Sequence, residues 1–225
     1  MRLSREVPVE PDRTALLVID MQNYTALPDG GAYRGMPQAE RQARYGPFFR
    51  TLRDTVLPNI ARLLDVCRAA RVEVIYTVIE SLTKDGRDRS LDYKISNLFV
   101  PRGSWDGRVL DAVAPGEDEI VLPKTSSSVF ISTTIDYVLR NLGVRYLIVT
   151  GGLTDQCIDS AIRDACDLGY LVTCATDACA TLSEARHEWA LRNNRGYCRQ
   201  RVTAEIIAEI ESMSARAPVQ PKPGA

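Results

Sequence analysis

The chain has 225 residues and a mass of 25.0 kDa, and is 45% hydrophobic and 25% charged, values that suit one soluble domain with a full-sized core. Its 28 Lys and Arg against 29 Asp and Glu leave a net charge of −1, which speaks against a nucleic-acid reader. Six cysteines stand beside a single histidine, His187, so a multi-histidine metal site is excluded and a histidine-based dyad has little to draw on.

The opening MRLSREVPVEPDR has no apolar stretch of the kind a secretory signal needs, and runs such as ALLVI and YLIV are far too short to cross a bilayer. The expectation is a cytoplasmic protein with reduced thiols and no membrane partner. Residues 1–13 read as an N-terminal arm, 14–212 as one domain and 213–225 as a disordered tail. The tail's last stretch, ARAPVQPKPGA, holds three prolines and no periodic pattern.

Along the chain, Thr14–Asp20 (TALLVID) predicts a strand buried on both faces that ends in an acid. The stretch 21–48 is long and rich in Gly, Pro and Tyr, a candidate lid or pocket wall. Phe49–Ala70 spaces Leu52, Val56, Ile60, Leu63, Leu64 and Cys67 as one helical face, with a kink or restart at Pro58. Val72–Ile79 predicts a second strand. The long segment 81–117 then includes polar 83–93, which can cap a site and offers Arg87 and Arg89 for a carboxylate, or serve as a solvated loop or subunit contact.

Asp118–Pro123 predicts a third strand, followed by Lys124 and TSSS. Ser132–Leu142 predicts a helix stopped by Gly143, and Val144–Thr150 a fourth strand. After GGLTDQ, Cys157–Leu168 predicts a helix stopped by Gly169, then Tyr170–Thr176 a strand. Ser183 caps a helix through Leu191, Gly196–Val202 is a weaker strand, and Thr203 opens a last helix with Ile206, Ile207 and Ile210 on one face. Strands alternating with helices mean an α/β fold whose parallel sheet is covered on both faces and binds ligands at the carboxyl ends of its strands.

Three features fall at such ends: Asp20, Lys124 and the loop leading to Cys157. An acid after an apolar run is costly unless paired or used; the alternative is a cap. Lys124 can hold an anion or merely begin a polar turn. Cys157 sits in the first turn of a helix, where free N–H groups favour a thiolate and can hold an oxyanion; the alternative is a small core residue, as for Cys67, Cys166, Cys174, Cys179 and Cys198. His187 lies in a charged helix remote from every strand end, where a surface or cap role suits it, so Asp20 is the better base. Tyr24, Glu80, Trp105 and Gln156 are candidate substrate contacts, each also readable as surface or packing.

The segments ALLVIDMQN, VLPKTSSSVF, VTGGLTDQCIDSAIRDACDLGY and ATDACAT resemble the isochorismatase-like cysteine hydrolase superfamily, in its order and spacing, from Thr14 to Ile210. The resemblance implies a three-layer α/β/α, Rossmann-like domain with a six-stranded, mostly parallel sheet, assembled as a homodimer or homotetramer. It implies an Asp–Lys–Cys triad at Asp20, Lys124 and Cys157, an oxyanion hole from the N–H groups of Leu153 and Cys157, and often a non-proline cis peptide, here falling at Gly152–Leu153. Members hydrolyse C–N bonds of small amides, ureas and carbamoyl compounds, or a vinyl ether in members that lack the cysteine. Members that hold a metal do so through an Asp and paired histidines, and this chain has no histidine before position 187, so no cofactor or metal is expected. The function implied is a cysteine-dependent hydrolase of a small amide, ureido or carbamoyl compound acting through a thioester. The alternatives are a cyclic-amide hydrolase of the streptothricin hydrolase type, a non-catalytic small-molecule-binding member, and a redox sensor, for which no resolving cysteine is evident nearby in sequence.

Overall fold

The apolar runs become strands because both of their faces are covered. In the computed structural model, which describes residues 4–215, β1 (Thr14–Ile19), β2 (Glu73–Ile79), β3 (Ile120–Lys124), β4 (Tyr146–Gly152), β5 (Leu171–Ala180) and β6 (Arg199–Arg201) form one sheet in the order β3-β2-β1-β4-β5-β6. Every strand pair is parallel, so the mostly parallel sheet expected is parallel throughout. Side chains of β1 alternate between two cores. Leu16 and Val18 pack with Ile60, Leu63 and Leu64 of α3 (Leu57–Ala69) and with Ile206 and Ile210 of α9 (Thr203–Ser214). Ala15, Leu17 and Ile19 pack with Ile135 and Leu139 of α6 (Ile135–Asn141) and Ala161, Ile162 and Ala165 of α7 (Asp159–Asp167). Burying both faces of a strand this way is what a central parallel strand requires.

The remaining helices are α1 (Asn23–Ala26), α2 (Gln38–Thr51), α4 (Leu91–Ile95), α5 (Val129–Ser132) and α8 (Glu184–Asn194). Several boundaries differ from the sequence expectation. The helix expected from Phe49 begins at Gln38, inside the stretch read as a lid or wall, because α2 buries only Gly46 and Phe48 and so shows no apolar stripe. Between α2 and α3 the backbone widens into a π turn over Leu52–Val56. That turn stands directly before Pro58, whose ring excludes a regular bond to the carbonyl of Asp54. The helix expected over Ser132–Leu142 is broken: Thr133 leaves the helical region, its Oγ1 donating to Val129 O at 2.8 Å and accepting from the Ile135 N–H at 3.1 Å, so α5 and α6 are separate. Strand β5 runs on to Ala180 past a register shift against β4 between Val149 and Gly151. Helix α9 ends at Ser214, inside the expected tail, whose residues from 216 on lie outside the described residues. No helix among the described residues is long and apolar enough to cross a membrane.

Chain order reverses at β1 and β4, which feed neighbours on opposite sides and leave a crevice at their carboxyl ends. Gly151 makes this closeness possible: its φ is +114°, and a Cβ there would lie 2.0 Å from the carbonyl oxygen of Ile19 on β1. Gly151→Ala should therefore cost about 2–5 kcal/mol, from overlap and unfavourable backbone together, and should lower the midpoint of urea denaturation accordingly. An unchanged midpoint would mean that β1 and β4 part freely at this point.

Candidate active site

Asp20 is the first residue after β1, with a left-handed φ of 55°, a conformation that Asp tolerates better than most non-glycine residues. The turn is held by Thr77 of β2: the Asp20 N–H donates to Thr77 O at 3.0 Å, and Thr77 Oγ1 donates to Asp20 Oδ1 at 3.0 Å. Lys124 ends β3, two strands away, and its side chain is wholly buried. It reaches past β2 to place Nζ 2.9 Å from Asp20 Oδ2. The same ammonium donates to Ser126 O at 3.0 Å, to the Tyr93 hydroxyl at 3.2 Å and to Cys157 Sγ at 3.3 Å. Cys157 enters from the far side, on a π turn over Thr154–Ile158 that leads into α7. The three chemically expected residues, 20, 124 and 157, thus meet although they come from three separate crossings of the sheet.

Burial dominates the electrostatics. It pushes the Cys157 thiol up to about 11; the Lys124 charge pulls it down, and the charge and hydrogen bonding of Asp20 push it up again. Burial alone would lower the Lys124 ammonium, but Asp20, with help from Cys157 and Tyr93, holds it above its ordinary value. The resting state is therefore a protonated thiol beside a carboxylate–ammonium pair, and the thiol needs a base when it reacts. Because the thiolate fraction grows as pH approaches the raised value, iodoacetamide should alkylate Cys157 about tenfold faster per pH unit up to about 11. A plateau near neutral pH, followed by peptide mass mapping, would show a preformed thiolate instead.

The turn that carries Cys157 is pinned from outside by α8. Thr154 Oγ1 and His187 Nδ1 are hydrogen-bonded at 2.9 Å, and Asp155 pairs with Arg186 at 2.5 Å. His187 is therefore not remote from the strand ends, as its sequence context suggested: packing brings α8 over the turn, and its ring holds Thr154, three residues before Cys157. Burial lowers its pKa, so the ring is neutral at pH 7. Its far side borders a second cavity of about 370 Å³, shared with Phe48, Asp177 and Cys179.

Asp20, Tyr93 and Cys157 line a cavity of about 450 Å³ together with Leu153 and Gln156. Of the four side chains proposed as substrate contacts, Gln156 belongs to this wall. Tyr24 is packed behind it, in a small apolar cluster with Ile79, Tyr93 and Val100. Glu80 is turned to the loop, its Oε2 accepting from the Gly103 N–H at 2.9 Å. Trp105 is 44% exposed, and its carbonyl accepts from Asn23 Nδ2 at 2.9 Å and from the Arg108 N–H at 3.1 Å. These three are absent from the wall because Gln22 and Asn23 fasten this loop across the end of β1. The Gln22 carboxamide donates to Ile79 O and Asp106 O, both at 3.0 Å, and accepts from the Ile79 N–H at 2.6 Å. Tyr93 and Asp92, in the wall through α4, were not singled out; the one signal was the polar 83–93 segment as a possible cap. The Gly152–Leu153 peptide is cis. Among the described residues no group of three or more His, Cys, Asp or Glu side chains is placed to hold a metal.

A family description, the isochorismatase domain, matches residues 14–206. Ureidoacrylate amidohydrolase RutB of Rhizobium rhizogenes is 31% identical over 188 residues, covering 76% of this chain and 72% of that one. Its counterpart in Agrobacterium fabrum is 30% identical over 188 residues, covering 76% of this chain and 78% of that one. Among solved structures, a cysteine hydrolase from Pseudomonas syringae pv. phaseolicola superimposes with a TM-score of 0.80 at 29% identity, over 92% of this chain and 97% of that chain.

Proposed function

Because the chain belongs to the isochorismatase family, and its curated relatives are amidohydrolases, we propose that it hydrolyses the C–N bond of a small amide, ureido or carbamoyl compound through a thioester on Cys157. The observation that carries the reading is the Lys124 ammonium, set 2.9 Å from Asp20 and 3.3 Å from Cys157 in a cavity wide enough for a small molecule.

Asp20 takes the thiol proton as Cys157 Sγ bonds to the carbonyl carbon, and Lys124 offsets the negative charge on sulfur. The carbonyl oxygen becomes an oxyanion held by the N–H groups of Leu153 and Cys157, both in the cavity wall. Collapse breaks the C–N bond, and protonated Asp20 gives its proton to the leaving amine or ammonia. Asp20 then takes a proton from water, whose oxygen attacks the thioester. The second collapse releases the acid, and Asp20 returns the proton to sulfur. A thiol with a value of about 11 suits this cycle, because its proton is drawn off by a base in contact as the bond to carbon forms.

A reducing, cytoplasmic setting and a homodimeric or homotetrameric state belong to the same proposal. All six cysteines are free, and Ile131 and Tyr137 present apolar surface on neighbouring helices. The test is ammonia release from a panel of primary amides, ureas and carbamoyl compounds, with iodoacetamide-treated protein as control. Release from at least one class, abolished by alkylation of Cys157, is the expected result. No release across the panel would overturn the reading.

A further inference from the structure

We propose that the substrate of this site is neutral or cationic at the end away from its scissile bond, and that compounds ending there in a carboxylate are rejected; this rests on the amide-hydrolase reading above. The charges at the cavity floor are already matched. Lys124 has four partners for its three N–H groups, Asp20, Tyr93, Ser126 O and Cys157, so it has no N–H left for a substrate anion. Beyond that pair, Asp92 of α4 is the charged residue in the wall; it is solvent-exposed and has no side-chain hydrogen bond or ion pair among the described residues. Thr25, Ser96, Ser127 and Gln156 add neutral hydrogen-bonding groups, and Ile79, Leu98 and Leu153 add apolar surface.

The arginines that sequence offered for a carboxylate are committed elsewhere. Arg87 pairs with Asp85 at 3.0 Å. Arg89 donates to the carbonyls of Gly86 and Leu98, both at 2.9 Å, and stacks over Phe99 at 4.7 Å. Neither lies in the wall. A carboxylate entering here would shed water and meet a like charge with no guanidinium to take it, whereas an ammonium or hydroxyl would find Asp92 open. In this respect the chain departs from the relatives named for ureidoacrylate, itself an acid.

The test uses three ureas of similar size: 3-ureidopropionate, 2-hydroxyethylurea and 2-aminoethylurea. The expected kcat/KM for the cationic and neutral compounds exceeds that for the anion by about 10–100-fold, Asp92→Asn narrows the gap, and Asp92→Arg inverts it. A second readout does not depend on turnover: the rates at which cationic and anionic methanethiosulfonates modify Cys157, followed by peptide mass mapping in the wild type and in Asp92→Asn. The cationic reagent should be favoured in the wild type and lose that advantage in the variant. If no urea is cleaved yet this reagent preference falls in Asp92→Asn, the hydrolase reading fails for ureas and the charge assignment stands. If ureas are cleaved with the anion preferred, or neither ratio responds to Asp92, the charge assignment is overturned and the hydrolase reading survives.

Discussion

Cys157→Ala should lower kcat by about 10⁴–10⁶-fold, the loss typical when a covalent nucleophile is removed, while leaving the fold intact. The side chain is 6% exposed, so losing its sulfur costs about 1 kcal/mol of packing, well within what a domain of this size withstands. Lys124 keeps Asp20, Tyr93 and Ser126 O as partners, so no charge is left stranded. Ammonia release measured beside a urea denaturation curve separates the two effects. Substantial turnover by the Ala variant would eliminate the thioester, and Asp20 would then have to activate water directly.

The second large effect is on stability. Lys124→Met keeps the length of the side chain and removes its charge, leaving the Asp20 carboxylate, 3% exposed, with the Thr77 hydroxyl and the Cys157 thiol as neutral neighbours and no cation. Stranding one member of a buried pair costs about 3–5 kcal/mol. The double variant Asp20→Asn/Lys124→Met should recover most of that loss, because neither charge then needs compensation. Both variants should be inactive: the single one loses the cation that offsets the sulfur charge, the double one also its base. A Lys124→Met protein as stable as the wild type would mean that the pair contributes to catalysis alone. Denaturation midpoints for the four members of the cycle decide it.

The parts of the fold legible in sequence are those whose burial is two-sided. TALLVID and VRYLIVT are continuous apolar runs because β1 and β4 are covered on both faces, so no register had to be guessed. Asp20 and Cys157 were legible for the same reason, since each comes after such a run, whereas Lys124 ends a half-buried run on the edge strand β3; parallel strands deliver all three to one edge of the sheet. Helix α2 was not legible, since a helix with two buried residues carries almost no periodic signal. Asp92 and Tyr93 were missed because α4 is a five-residue helix whose position comes from long-range contacts. The Ser90 N–H donates to Thr125 O at 2.9 Å, and the Tyr93 hydroxyl accepts from Lys124, links that no local pattern encodes. His187 was misread on the same grounds, because its partner, Thr154, is 33 residues away in sequence.

The order β3-β2-β1-β4-β5-β6 also bears on how the chain comes into being. During synthesis, Asp20 and Lys124 emerge first and can pair once β1, β2 and β3 align, whereas the thiol arrives later, on the segment after β4. Cys157 joins Asp20 and Lys124 only once β4 is seated against β1, since it lies on the turn that follows β4. Assembly of the three side chains is in this way a late product of folding, and until then the unburied thiol is the more open to alkylation, since burial is what raises it to about 11.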